Sequence, residues 1–385
     1  MALKKWLTVF VGAGALMIAT ACGSSGPSSS GGSSSAHTPQ TVVIGDVTDL
    51  TGAGGPFGQA DVQMAQLAIK DVNASQSKYH FQLVVKDDQS TPQGAVTAMQ
   101  QLLTTPHLGA IIGGVLTDNV AAMMPLIKKS GLPAVMTVQG LPGRGPNVFA
   151  TVVPTNNLQP LTVTKVLVPK HVKTFAAIYQ QESILTASLS DMNTAAKSAG
   201  IQDVYQAGGP ITQTSFGTQV SIALSHHPGA IFLDCFPNVS GTIAAQLRSR
   251  GYNGLLIGQA GVSNAAFSAA AGKAAAGVVV PVQWSLAGQN ASSKKVVAQY
   301  TSTYPKAPPL SFDNMGNWDA IHILLQAIDA AGSTSPAAVV SQLTSLTYNG
   351  VIGDNLKFSP STGIITSSGY LVEYDASGNQ SVYNG

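Results

Sequence analysis

The sequence predicts an α/β protein built as two lobes of similar construction, each a parallel, doubly wound sheet with helices on its faces. Three observations predict it. From Thr41 onward, short apolar runs alternate with segments of helical period, the pattern of parallel sheets with crossover helices. The same rhythm restarts after Pro154. Finally, 385 residues, 44% apolar and only 9% charged, exceed what one core needs and suit two.

In order, Thr41–Val47 has the pattern of a buried strand, and a glycine-rich turn, Thr51–Gly58, follows it. Val62, Ala65, Ile69 and Val72 then recur at helical spacing, one face of a helix ending near Asn73. Phe81–Lys86 is a second strand and Gly94–Leu103 a second helix. Ala110–Gly114, Asn119–Lys129 and Pro133–Thr137 continue as strand, helix and strand. In the second half, Val172–Tyr179, Ala230–Leu233, Leu255–Ile257 and Val278–Val280 read as strands. Ala187–Ala199, Thr218–Ser225 and Gly241–Arg250 read as the helices between them. Helices at Trp318–Ala331 and Pro336–Leu346 follow, then short strands at Leu356–Phe358 and Tyr370–Tyr374.

The N-terminus is a targeting segment. Lys4 and Lys5 precede an apolar run, Leu7–Ile18, too short to cross a bilayer core of ~30 Å. Ala19-Thr20-Ala21 offers small residues for cleavage, so residues 1–21 read as a signal peptide. A cysteine directly after the cut, Cys22, resembles the lipobox of bacterial lipoproteins, in which that thiol is diacylated. Ala19 departs from the Leu usual in that motif. An ordinary secretory cleavage would leave Cys22 as a free thiol, but Gly23–Ser35, nearly all Gly, Ser and Pro, fits a lipid anchor better. Residues 22–40 then form anchor and tether, and a coil of roughly eighteen residues spans roughly 25 Å. The other cysteine is Cys235, which has no disulfide partner once Cys22 is acylated.

Charge and motifs exclude several functions. Two of the 19 basic residues, Lys4 and Lys5, leave with the signal peptide, and the 17 that remain balance the 17 acidic ones. No basic run or stripe marks a nucleic-acid binder. Gly52-Ala-Gly54 begins a dinucleotide fingerprint, but Phe57 stands where its third glycine belongs. There is no phosphate loop and no Gly-x-Ser-x-Gly elbow, and His226-His227-Pro228 has no third metal ligand at a recognisable spacing and reads as a surface turn. An enzyme reading therefore has no residue to rest on, and no metal or cofactor is expected.

A collinear set of short motifs adds a family resemblance. It comprises the first strand, turn and helix ending in Asp71-Val-Asn73, then Asp87-Asp88-Gln89-Ser90-Thr91-Pro92, Ile111–Asp118 and Ser130–Val135. Farther on come Phe149, Arg248-Ser-Arg-Gly251, Ile257–Gly261, Asn317–Ile321, Tyr348-Asn-Gly350, Gly353 and Phe358. In this order they resemble the leucine/isoleucine/valine-binding family of type I periplasmic solute-binding proteins. The resemblance implies two Rossmann-like lobes joined by three hinge crossings, near 150–155, 281–284 and 347–353. Lobe 1 would hold 41–150 and 284–346, and lobe 2 151–283 and 347–385. It also implies capture of a small solute between the lobes and delivery to ABC transporter permease subunits. The protein would act as a monomer anchored on the outer face of the cytoplasmic membrane. The alternative is a sensor of the same fold that signals to a membrane partner.

The resemblance also points to binding residues. The family holds a ligand carboxylate with a hydroxyl after the third strand and with groups after the fourth, which match Thr117 and the Val138-Gln139-Gly140 loop. Thr117 and Asp118 alternatively cap the following helix. Phe57 matches an aromatic in the first turn. In the second lobe, an aromatic–glycine pair is replaced around Ser183 and Ile184, and Phe236 keeps a ring without its hydroxyl. Ala260 stands where amino-acid binders carry the acid that receives the ligand ammonium. A buried ammonium needs such a partner. Either Asp118, Glu182 or Asp234 substitutes, or the solute is a carboxylate, amide or aromatic acid, which is the reading preferred over a branched-chain amino acid.

Overall fold

A computed structural model describes residues 39–75, 78–307 and 309–385. The expected signal peptide, Cys22 and the expected tether up to Thr38 lie outside the described residues. The elements run β1 (Gln40–Thr48), α1 (Gly55–Ala74), β2 (Tyr79–Asp87), α2 (Pro92–Leu102), β3 (Leu108–Gly113), α3 (Thr117–Ser130), β4 (Ala134–Gln139) and β5 (Val148–Val152). Then come α4 (Thr155–Thr162), β6 (Thr174–Gln181), α5 (Ser183–Ser198), β7 (Gln202–Pro210), α6 (Gly217–Ser225), β8 (Ala230–Asp234), α7 (Pro237–Ser249) and β9 (Leu255–Gly258). The chain ends with α8 (Ala265–Ala271), β10 (Val278–Val282), α9 (Ala291–Thr303), α10 (Phe312–Ala331), α11 (Pro336–Ser345), β11 (Tyr370–Tyr374) and β12 (Gln380–Val382).

Two sheets carry the fold. The first has strand order β2-β1-β3-β4-β5 and is parallel throughout. The second has order β12-β11-β10-β9-β8-β6-β7. Its strands from β7 to β10 are parallel, while β11 and β12 add an antiparallel edge. That edge departs from an all-parallel expectation. No helix separates β11 from β12, and the short turn between them, Asp375–Asn379, can only reverse the chain.

Each sheet is buried on both faces, which is why its strands read as continuous apolar runs. On the first sheet, Met64, Leu67 and Ala68 of α1 pack with Ile321, Leu324 and Ile328 of α10 on one face. Met99 and Leu102 of α2 pack with Val120, Met123 and Ile127 of α3 on the other. On the second sheet, α5 covers one face through Leu189 and Met192, and α6, α7 and α8 cover the other. Gly58 permits the close approach of α1 to the first turn, because a Cβ there would lie 2.1 Å from the Asp49 carbonyl oxygen.

Several elements were not legible. The edge strand β7 is only half-buried and ends in Gly208-Gly209-Pro210, which masks its period. Helix α4 contains Pro160 and continues as a wider turn through Val163–Leu167. Helix α9 is mostly polar, with Asn290 capping Ser293 N–H at 2.7 Å. Helix α10 starts at Phe312, six positions before the sequence reading, because Asp313, Asn314, Gly316 and Asn317 break up the apolar period there. Leu356 and Phe358 make isolated bridges instead of a strand.

The connections between the sheets are tied together. Gln283 accepts the Val153 N–H at 2.6 Å and donates to the Thr151 carbonyl at 3.2 Å. Ala150 also pairs with the 363–365 segment, through Gly363 and Ile365. Val351, Ile352, Leu356, Phe358 and Ile365 are buried in the same cluster as α1 and α10.

Candidate functional site

The loops that follow the strands of both sheets converge on one cleft. This is the expected place, since in open α/β sheets ligands lie beyond the carboxyl ends of the strands. From the first sheet it is lined by Val115–Thr117 after β3 and by Thr137 and Gln139 at the end of β4. From the second it is lined by Ile184 and Leu185 after β6, Phe236 and Pro237 after β8, and Gln259 and Gly261 after β9. Phe57 and Asp61 of α1 and Phe312 and Asp313 of α10 complete the wall. The cavity volume is about 80 Å³. At roughly 10–15 Å³ for one water, this holds on the order of six water-sized groups, the scale of a small organic molecule.

Of the ten residues expected on the cleft, Phe57, Thr117, Gln139, Ile184 and Phe236 line it. The other five are placed differently. Val138 is buried with α2 and α3 in the core beneath. Gly140 has φ of +96°, a left-handed turn that suits glycine and carries the chain away from β4. Ala260 is 1% exposed and faces the first-sheet cluster, while its neighbours Gln259 and Gly261 form the wall. Asp118 accepts a hydrogen bond from the Ser183 hydroxyl, so these two are paired with each other.

The first turn of α3 is not capped by its own side chains. The helix begins at Thr117, its N-cap position is Leu116, and no side chain bonds there. The Thr117 hydroxyl is buried without a hydrogen-bond partner. The Thr117 N–H instead donates to Glu182 Oε1 at 3.0 Å, and Glu182 Oε2 accepts the Ile184 N–H at 2.7 Å. One carboxylate therefore serves the N-termini of α3 and α5, where the helix dipoles favour negative charge. Burial, then the charge of Asp118, pushes the Glu182 carboxyl up.

Beneath this turn lies a buried acidic network. Asn119 Nδ2 donates to Asp88 Oδ2 at 2.9 Å and more weakly to Asp49 Oδ1 at 3.4 Å. Burial, together with the charge of Asp88, pushes Asp49 up to about 7 and the nearby Asp46 also up to about 7.

None of the three acids considered as partners for an ammonium lines the cleft. Glu182 and Asp118 are engaged as described, and Asp234 is fully buried at the end of β8. The cleft acids are Asp61 and Asp313, which sequence reading missed. A signal existed for Asp61: it falls on the apolar stripe of α1 with Met64, Ala65 and Ala68. Asp313 gives no such signal, because it lies in a first turn of α10 that has no clear apolar period. The missing acid at position 260 therefore does not leave the cleft without acids. Among the described residues that line it, none is Lys, Arg or His.

Comparison with known proteins follows this geometry. The family described as periplasmic binding protein matches residues 41–379. A Leu/Ile/Val-binding protein homologue of Brucella melitensis is 23% identical over 307 residues, covering 78% of this chain and 82% of the relative. A branched-chain amino acid transporter substrate-binding protein of Streptococcus pneumoniae, solved with isoleucine, superposes with a TM-score of 0.79 at 19% identity, covering 90% of this chain and 100% of that one. A solute-binding protein of an ABC transporter from R. palustris, solved with 4-hydroxybenzoate, gives 0.82 at 16% identity, covering 90% and 96%. At such identities the structural likeness establishes the shared two-lobed fold.

Proposed function

This chain belongs to the periplasmic binding protein family, and on that premise we propose that it captures a small, partly aromatic organic acid or amide in the interlobe cleft for delivery to the permease of an ABC transporter. We assign residues 41–150 and the α9–α11 region to one lobe. The 351–365 segment goes with it, because its side chains pack beside α1 and α10. The third crossing then lies near 366–369, and 151–283 with 370–385 form the other lobe. Cys22 is proposed as the lipid-anchored N-terminus of an exported monomer.

The observation that carries this reading is a cleft walled from both sheets by three phenyl rings, Phe57, Phe236 and Phe312, with the unpaired Thr117 hydroxyl beside them. Rings supply apolar contact and favour offset or edge packing with another ring. The Thr117 hydroxyl and the N-terminus of α7 are donors suited to an acid or amide group. Similar structures carry either an amino acid or an aromatic acid, so the preference for a ring rests on the cleft itself.

The test is a thermal-shift and calorimetric screen of the mature chain with benzoate, hydroxybenzoates, aromatic amides, leucine, isoleucine and valine. A ligand at 100 times its Kd stabilises by about 2.7 kcal/mol, a readily measured shift. An aromatic acid or amide is expected to give it. Micromolar or tighter leucine binding overturns the ligand class, and no response to any small organic solute overturns the cleft as a solute site.

A further inference from the structure

Asp61 and Asp313 line the cleft together with Phe57 and Phe312. Their surroundings bind both into the start of α10 but leave one carboxylate oxygen of Asp313 without a partner. Asp61 Oδ1 accepts a hydrogen bond from Asn314 Nδ2 at 2.7 Å, and its backbone carbonyl accepts one from Asn317 Nδ2 at 2.9 Å. Asp313 Oδ1 accepts the Ser311 hydroxyl at 2.5 Å. Asp313 Oδ2 is different: the residue is 8% exposed, yet that oxygen is buried with no partner.

A purely structural network would satisfy this oxygen, because buried polar groups are nearly always paired. Ser311 and Asn314 already complete the capping of α10 without it. Among the described residues, no cationic side chain lines the cleft to neutralise it. What the cleft lacks, the bound molecule supplies.

We propose that the Asp61–Asp313 pair is the specificity subsite of the cleft, and that the solute carries a hydrogen-bond-donating group, a hydroxyl or an ammonium, received by the free carboxylate oxygen of Asp313. This deepens the reading above and rests on it. Hydroxyl and ammonium share the donor chemistry but differ in charge. Burial raises both carboxyls, and the charge of Asp313 raises Asp61 further, so an arriving cation favours proton loss from the pair and a neutral hydroxyl does not. A site built around a polar group rejects analogues that lack it, since its own buried group is then left unpaired.

The experiment is calorimetry on the mature chain with benzoate, 3- and 4-hydroxybenzoate, and 3- and 4-(aminomethyl)benzoate. At least one donor-bearing ring is expected to bind at least about tenfold tighter than benzoate, near the difference one such hydrogen bond makes. In Asp313→Leu that preference should fall below about threefold. Asp313→Asn, nearly isosteric, guards against misfolding: it keeps a hydroxyl preference and abolishes an ammonium preference. Proton release on binding, read as a buffer-dependent heat, identifies the ammonium. If benzoate binds as tightly as every donor-bearing ring, the subsite is refuted while the solute cleft stands. An undiminished preference in Asp313→Leu also refutes it. If no ring binds, both readings fall.

Discussion

Glu182 of the second-sheet half accepts the backbone N–H of Thr117 in the first, at 3.0 Å across the cleft. The same carboxylate accepts the N–H of Ile184 in its own helix, and next to it the Ser183 hydroxyl donates to Asp118. Two helix N-termini thus face each other with one side-chain anion between them. The arrangement joins the two halves at the place where the resemblance puts a ligand carboxylate.

Replacing Glu182 by Gln should loosen this junction. Hydrogen bonds to charged groups contribute roughly 1.5–3 kcal/mol and neutral ones about half. The open form should gain on the order of tenfold relative to the closed one. Small-angle scattering of the unliganded variant should then give a larger radius of gyration than the parent. Identical scattering curves would mean that the contact does not hold the halves together.

Stability should decline as pH rises from 5 to 8. Asp46 is completely buried, its carboxylate oxygens have no partner, and burial followed by the charge of Asp88 pushes it up to about 7. In the unfolded chain it ionises near the ordinary 3.8. Stability is therefore full below about pH 4 and is lost as pH rises through about 7, because the folded state holds the proton longer. Asp49, pushed up to about 7 as well, acts in the same direction. Urea midpoints at pH 5, 6, 7 and 8 should fall for the parent and fall less for Asp46→Asn, by an amount on the order of a few kcal/mol at pH 8. Parallel profiles for the two proteins would remove Asp46 from the explanation.

Asp319 should be needed to hold the 350–352 turn. It is fully buried in α10 and accepts the N–H groups of Val351 and Ile352 at 3.0 and 2.9 Å. Asp319→Ala leaves two buried donors unpaired and should cost roughly 3 kcal/mol. Gly350→Ala should also destabilise, since its Cβ would lie 2.3 Å from Asp319 Oδ2. Denaturant titration measures both, and a change under about 0.5 kcal/mol, the size of an ordinary surface substitution, contradicts the assignment.

Cys22→Ser should move the protein from the membrane fraction to the soluble envelope fraction or the medium. Acylation supplies the membrane affinity, at about 0.8 kcal/mol for each buried CH₂, and serine cannot receive the thioether-linked lipid. Unchanged fractionation of the variant contradicts the anchor.

By itself the sequence determined the alternation of strands and helices, the two-sheet architecture and the loops that would carry the site. The reason is local: a strand buried on both faces reads as a continuous apolar run, and the residues just past it must lie at its carboxyl end. The family resemblance singled out Thr117, Ile184 and Phe236 within those loops, and all three line the cleft. Only the tertiary structure decided which polar groups remain available on the cleft. Glu182 and Asp118 look free in sequence but are engaged across the cleft. Asp61 and Asp313 look like helix residues, yet α1 packs on α10 and brings Asp61 to Asn314 from 253 positions away. Pairing between segments so distant depends on helix packing, and no local pattern encodes which of two facing carboxylates keeps an oxygen free.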